Sequence, residues 1–223
     1  APVSVTVTND TVAPVLSSAS ATAGTKTVTL KISEAVSGAP EAGDFAVLLG
    51  GSQSAVSAVS VSSDGEEITL TISDYVKNDQ TVKVSYVAND ATNKKLLDFL
   101  DLPVASFSES AVTVTNETSI PTVVGVSTAK STGEYKAGES IAIDVEFSEA
   151  VEITGTPQIT LETGSSDQSV DYSGDGTAAT KHTFTYVVQG GDNSDDIDYA
   201  STGALTLNGG TITDLAGNAA DLT

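Results

Sequence analysis

The chain repeats itself at the spacing of a whole domain. Val5-Thr6-Val7-Thr8-Asn9-Asp10-Thr11-Val12-Ala13-Pro14 returns as Val112-Thr113-Val114-Thr115-Asn116-Glu117-Thr118-Ser119-Ile120-Pro121, and Ser33-Glu34-Ala35-Val36 returns as Ser148-Glu149-Ala150-Val151. Solenoid repeats run only about 20–50 residues, so copies this far apart are tandem domains, each able to bury its own core. The 223 residues hold two such units of ordinary domain size. The register divides the chain into residues 1–10, the last strand of a preceding repeat or a linker, then 11–117 and 118–223. A chain built this way is expected to be a piece of something longer, working by reach and display rather than by chemistry.

Inside each unit the apolar residues alternate. Thr27-Val28-Thr29-Leu30-Lys31-Ile32, Glu67-Ile68-Thr69-Leu70-Thr71-Ile72 and Thr81-Val82-Lys83-Val84-Ser85-Tyr86 place their apolar side chains on one face. So do Ser140 to Phe147 and His182 to Val187 in the second unit. Period two is the signature of a half-buried strand, and branched Val, Ile and Thr suit a pleated surface. Turn signals separate the runs at Ser63-Asp64-Gly65, Gly174-Asp175-Gly176 and Asn208-Gly209-Gly210. Many short strands at this spacing predict an all-β fold of two tandem immunoglobulin-like antiparallel β-sandwiches. Only Lys94 to Leu102 reads as a helical turn. Pro121 ends a ladder because it has no N–H to donate, and the few residues joining the units predict a restrained connection.

Thirty Asp and Glu against nine Lys and Arg give a formal net charge of −21. Such a surface repels nucleic acid and anionic membrane, so neither nucleic-acid binding nor membrane insertion is expected. It is also self-repulsive unless the acids are solvated, as on a halophile-like surface, or neutralised by bound cations. With no cysteine, disulfides are excluded and stability must come from the cores, from metal, or from both. There is no initiator methionine, signal peptide or apolar run of membrane-spanning length, and the chain reads as an excised soluble fragment. One histidine within a strand pattern and no cysteine leave little for nucleophilic catalysis, and the carboxylates lie in loops without aromatic subsites. The chain is expected not to be an enzyme.

Residues 11–117 resemble the Swm-type repeat of bacterial cell-surface proteins, through Asp10-Thr11-Val12-Ala13-Pro14, Ser33-Glu34-Ala35-Val36 and Val82-Lys83-Val84-Ser85-Tyr86. Residues 120–223 resemble a related immunoglobulin-like repeat of very large bacterial adhesins. The resemblance there lies in Gly191-Asp192-Asn193-Ser194-Asp195-Asp196-Ile197-Asp198-Tyr199, Leu205-Thr206-Leu207-Asn208-Gly209-Gly210-Thr211-Ile212 and Asp214-Leu215-Ala216-Gly217-Asn218. The resemblance implies an extracellular stalk on a bacterial cell surface, commonly stiffened by calcium, that carries a distant ligand-binding tip. Its nearest partners would be neighbouring repeats of the same chain. Unit one departs from the pattern at Asp98-Phe99-Leu100-Asp101-Leu102, where Asp-x-x-Gly-Asn is expected.

Calcium takes about six to eight oxygen ligands, and this chain concentrates such groups at strand ends. The first candidate set is Asn116, Glu117 and Glu149 with Asp214 and Asn218, Glu149 being read as ending a strand. Its counterparts in the first unit are Asn9, Asp10, Glu34 and Asp98. Against this stands the plainer expectation of polar turn residues making ordinary strand-end hydrogen bonds. The second set is Asp192, Asp195, Asp196 and Asp198, four acids that repel unless solvated or bridged by a cation. Asp171-Tyr172-Ser173-Gly174-Asp175-Gly176 starts like an EF-hand loop, but the twelfth position is His182 and no helices flank it, so a hairpin turn is expected. His182, alternating with Phe184 and Tyr186, is expected to be structural. The rival to a stalk is a module that itself contacts glycan or a partner protein, which would need an exposed aromatic cluster in a loop.

The register also leaves one strand without a place. Residues 1–9 match 108–116, the last strand of unit one, while Ala105 matches Asp221, so unit two reaches Thr223 before its own last strand. Val3 to Thr8 is therefore expected to pair along unit one or to complete unit two of a neighbouring chain, the first avoiding the cost of association.

Overall fold

The computed structural model describes residues 10–88, 96–131 and 133–223. The chain forms two compact units, Ala1–Asn116 and Glu117–Thr223. Among the described residues no helix is long and apolar enough to cross a membrane.

Unit 1 contains β1 (Leu16–Thr22), β2 (Thr27–Ile32), β3 (Phe45–Leu49), β4 (Ser52–Ser54), β5 (Val56–Val61), β6 (Glu67–Ile72), β7 (Val82–Tyr86) and β8 (Phe107–Thr115). They run in the order β4-β3-β7-β8-β1-β2-β6-β5. Alternation decides which side chains turn inward: Val28, Leu30, Ile68 and Leu70 from one half of the sheet share a core with Val47, Val82 and Val84 from the other. Each such burial contributes roughly 1.5–3 kcal/mol. Phe45, Tyr86 and Phe107 add an aromatic file, with ring centroids 5.0 and 5.8 Å apart. β8 is antiparallel to β7 but parallel to β1. The expectation of purely antiparallel sheets therefore fails at β1/β8, a pairing made across the whole unit that local alternation cannot report.

Unit 2 contains β9 (Val123–Ser127), β10 (Ser140–Thr154), β11 (Gln158–Glu162), β12 (Gln168–Asp171), β13 (Ala179–Val187), β14 (Asp198–Tyr199), β15 (Leu205–Thr206) and β16 (Thr211–Asp214). One sheet runs β13-β10-β16 with β9 also on β10; the other runs β12-β11-β14 with β15 also on β11. Ile143, Val145, Val151 and Phe184 from the first meet Ile159 and Leu161 from the second in one core. The all-β sandwich reading thus holds for both units.

Two local expectations are corrected. Lys94 lies outside the described residues, and from Leu96 to Leu102 there is no helix. Leu97 bridges Ser37 and Pro103 in antiparallel fashion, while Leu96 is buried in the core. Burial of Leu96 and two bridges outweigh the helical propensity of so short a run. Nor does β10 end at Glu149: it continues to Thr154, and its pairing with β13 slips between Glu146 and Val151, so that Ser148-Glu149-Ala150 forms an irregularity inside a longer strand.

Candidate metal centre

The repeated Ser-Glu-Ala-Val motif is held the same way in both units. Val15 N–H donates to Ser33 Oγ at 3.0 Å and Ser33 N–H donates back to Val15 O at 2.9 Å. Thr122 N–H donates to Ser148 Oγ at 3.0 Å and Ser148 N–H to Thr122 O at 2.9 Å. The serine pins the incoming segment just after its proline, and the glutamate that follows is placed at the same end of the unit. The serine's role was missed in the sequence, although its recurrence before each glutamate was the available signal.

In unit 1 this brings Asp10, Glu34 and Asp98 together, with one carboxylate oxygen from each lying within 4.8 Å of the others. Asp98 is buried, Glu34 half-buried and Asp10 exposed. Asp98 Oδ1 accepts from Leu100 N–H and Leu102 N–H, both at 2.8 Å, and Asp10 Oδ1 accepts from Val12 N–H at 2.9 Å. Backbone donors therefore orient two of the three carboxylates. Partial burial, then the charges of Asp10 and Asp98, push the Glu34 carboxyl above its ordinary range. Among the described residues no lysine is shown ion-paired to these three; Lys83 pairs with Glu109 and Lys181 with Asp144. An all-oxygen, all-anionic set with one buried, oriented member fits a hard cation such as calcium, with backbone carbonyls and water completing the shell.

The departure of the Asp98 loop from Asp-x-x-Gly-Asn does not change its shape. Asp98 N–H donates to Leu102 O at 3.0 Å and Asp101 N–H to Asp98 O at 3.3 Å; in unit 2 Asp214 N–H donates to Asn218 O at 3.0 Å and Gly217 N–H to Asp214 O at 3.2 Å. Asp101 adopts φ 65°, the left-handed region where Gly217 sits at φ 96°.

Unit 2 assembles Glu117, Glu149, Asp214 and Asn218 more loosely. Asp214 is buried and accepts from Asn218 N–H and Asn218 Nδ2, each at 2.8 Å. Asn218 Nδ2 also donates to Ser119 O at 2.9 Å and Glu117 O at 3.3 Å. Glu117 Oε1 accepts from the N–H groups of Thr118 and Ser119, both at 2.8 Å, and from Ser119 Oγ at 2.9 Å. The Ser119 N–H and hydroxyl, then the Thr118 N–H, hold the Glu117 carboxyl below its ordinary range. Partial burial, then Asp214 and Glu117, push Glu149 up. Asn116 is turned to Asp79 in unit 1: Asp79 N–H donates to Asn116 Oδ1 at 3.0 Å and Asn116 Nδ2 to Asp79 Oδ1 at 2.7 Å. Asn9 lies outside the described residues.

The four acids of the second set have separate surroundings. Asp192 accepts from the Tyr186 hydroxyl, from Gln189 N–H at 2.7 Å and from Gln168 Nε2 at 3.1 Å. The Tyr186 hydroxyl is the main cause that holds Asp192 below its ordinary range. Asp198 accepts from Tyr199 N–H at 2.8 Å, and Asp195 and Asp196 are exposed. In the Asp171–Gly176 segment Asp175 Oδ1 closes a turn by accepting from Thr177 N–H at 3.0 Å and Thr177 Oγ1 at 2.8 Å. His182 is buried. Its Nε2 faces the carbonyls of Val151 at 3.0 Å and Ala179 at 3.2 Å, so it carries the proton, and Nδ1 accepts from the Tyr172 hydroxyl at 3.1 Å.

Residues 9–93 match the SWM repeat family, described as "Putative flagellar system-associated repeat". No curated protein matches the chain. Among the solved structures similar to it are three of a surface layer protein. Domains 1–6 of the surface layer protein SbsC share 12% identity at TM-score 0.41, over 86% of this chain and 34% of that one. The N-terminal part of the bacterial S-layer protein SbsC shares 14% identity at TM-score 0.38, over 94% of this chain and 44% of that one. The S-layer protein rSbsC(31-844) shares 12% identity at TM-score 0.38, over 82% of this chain and 33% of that one. The chain thus spans less than half the length of each of these three structures.

Proposed function

We propose that the chain is a stalk segment of a bacterial surface adhesin, extracellular and non-catalytic, in which calcium at strand-end carboxylate clusters rigidifies a tandem array and so projects a distant binding tip. The observation that carries this reading is the convergence of Asp10, Glu34 and Asp98 within reach of a single ion. The repeat match over residues 9–93 supports the repeat part of it. A bound cation would supply positive charge where like charges otherwise repel. Asp98, set by two backbone N–H groups, would be the fixed ligand, with Glu34 and Asp10 beside it. Glu117, Glu149 and Asp214 are the corresponding groups of unit 2, and neighbouring repeats of the same chain are the partners this role requires.

Thermal melting in calcium and in chelator tests the reading. Extracellular sites bind at about 10⁻⁴–10⁻³ M, so about 2 mM calcium stabilises by roughly 0.7–1.8 kcal/mol through mass action. Superimposable melting curves would remove calcium from the proposal. A second reading, that unit 1 itself contacts glycan or protein, draws on Phe99 and Leu100, which stand 86% and 51% exposed on the loop after Asp98. Phe99→Ser would abolish such binding while leaving the calcium response intact.

A further inference from the structure

The chain holds a single Asn-Gly pair, Asn208-Gly209, and it lies in the turn between β15 and β16 of unit 2. Asn208 has φ 44° and Gly209 φ 79°, and Gly210 N–H donates to Leu207 O at 2.7 Å. Residues 207–210 are therefore a tight turn with both central residues left-handed, the kind in which Asn-Gly is favoured. This turn packs backbone to backbone on the connection between β10 and β11. A Cβ on Gly155 would meet Gly210 Cα at 2.8 Å, and one on Gly210 would strike Thr154 O. Asn208 Nδ2 adds a polar tie, donating to Thr156 O at 3.0 Å, and the hydroxyls of Thr154 and Thr211 lie 2.7 Å apart. Asn208 and Gly209 are both exposed, and the space about Gly209 is open.

We propose that Asn208 is a self-modification site, which deamidates through the Gly209 nitrogen at a rate set by how often this turn opens. Glycine after asparagine suits the reaction because no Cβ shields the attacking nitrogen. The Gly209 nitrogen gives its proton to water and bonds to Asn208 Cγ, while the Cγ–Nδ2 bond breaks and ammonia leaves. The five-membered imide so formed takes up one water at either carbonyl and opens to aspartate or isoaspartate. One water is consumed and one ammonia released, and nothing is oxidised or reduced. The closed turn opposes the first step in two ways. The Gly210–Leu207 hydrogen bond fixes the rotation of the Asn208–Gly209 peptide, which must swing to bring nitrogen and Cγ together. The leaving Nδ2 is also engaged with Thr156 O. A local opening, well short of global unfolding, releases both. The product in turn cannot restore the closed state. A carboxylate oxygen in place of Nδ2 faces the Thr156 carbonyl as a second acceptor, and isoaspartate adds a main-chain methylene to a turn with no room for it against Gly155. The reaction thus records an opening of this end of unit 2 and then perpetuates it. It involves none of the cation clusters and holds with or without the calcium reading.

The test incubates the full chain in mildly alkaline buffer, folded and in denaturing urea, and follows each asparagine by peptide mass spectrometry, with hydroxylamine cleavage to trap the imide. Conversion in urea is expected at Asn208 ahead of every other asparagine. In the folded chain it is expected to be slower by roughly tenfold or more, the factor that corresponds to about 1.4 kcal/mol of opening free energy. Two variants loosen the turn to different degrees. Gly155→Ala pushes a Cβ against Gly210, and Thr211→Val removes only the hydroxyl contact with Thr154. Both are expected to convert faster than the folded parent, Gly155→Ala the more so. Asn208→Asp, which carries the product's charge from the start, is expected to melt about 4 °C below the parent through loss of the Thr156 contact. Equal rates in the folded and the urea-treated chain, faster conversion at another asparagine, a Thr211→Val rate no higher than the parent's, or an Asn208→Asp chain as stable as the parent would overturn the proposal.

Discussion

Asp98 and Asp214 close the same turn in their respective units. Leu102 N–H donates to Asp98 Oδ1 at 2.8 Å, and Asn218 N–H donates to Asp214 Oδ1 at 2.8 Å. Each is buried, and each stands near a glutamate whose carboxyl is pushed up, Glu34 and Glu149. What differs is the residue that ends the turn. Asn218 offers Asp214 an amide donor, whereas Leu102 offers Asp98 only its backbone. The unit with the amide already has a neutral group satisfying its buried carboxylate; the unit without it leaves three carboxylates facing one another.

Substituting Asp98→Asn removes one negative charge while keeping an oxygen for the backbone donors. In chelator the variant is expected to melt at or above the parent temperature, because repulsion with Glu34 and Asp10 is relieved. In calcium it is expected to lose most of the parent's stabilisation. Calorimetry in the two buffers checks both signs, and equal calcium shifts in variant and parent would dissociate Asp98 from the cation.

Asp101 holds a left-handed φ of 65° where unit 2 uses Gly217. Asp101→Gly is expected to stabilise unit 1 by about 0.5–1 kcal/mol, and Gly217→Ala to destabilise unit 2 by a similar or larger amount. Denaturant melts measure both. A destabilising Asp101→Gly would show that the aspartate side chain outweighs the backbone preference.

The Tyr186–Asp192 contact sets a pH dependence at both ends. Asp192 is held below its ordinary range, so its contribution is present above about pH 4 and is lost as pH falls through the lowered value. Burial, helped by Asp192, raises Tyr186 to about 12, so its contribution is present below about pH 10 and is lost as pH rises toward that value. Tyr186→Phe is expected to flatten both limbs and cost about 1 kcal/mol near neutrality. Stability profiles across pH compare the two proteins; an unchanged acid limb would assign it to other carboxylates.

Tyr172 links two elements through a single hydroxyl, donating to His182 Nδ1 and accepting from Gly176 N–H at 3.2 Å. Tyr172→Phe leaves both buried partners unsatisfied and is expected to cost about 2 kcal/mol, with no effect on calcium binding. Urea melts and calcium titration separate the two readouts. A calcium defect would place this network in contact with the cation site.

Alternation was enough to place Thr27 to Ile32 and Glu67 to Ile72, which are β2 and β6 residue for residue, because a strand half-buried on one face must repeat every two residues. Duplication likewise made the two units and their matching acids visible, since copies keep residue type and spacing. By itself the sequence therefore determined the strand class, the tandem organisation and the kinds of group at each pole. It could not say that β8 runs parallel to β1, for that pairing joins residues far apart and carries no local mark. Nor could it rank the acidic sets. Asp192, Asp195, Asp196 and Asp198 crowd together in sequence, yet Asp192 is satisfied by Tyr186 and Gln168 from elsewhere. Asp10, Glu34 and Asp98, separated along the chain, converge within 4.8 Å. Periodicity is a property of neighbours along the chain, whereas the convergence of carboxylates depends on which distant strands pair.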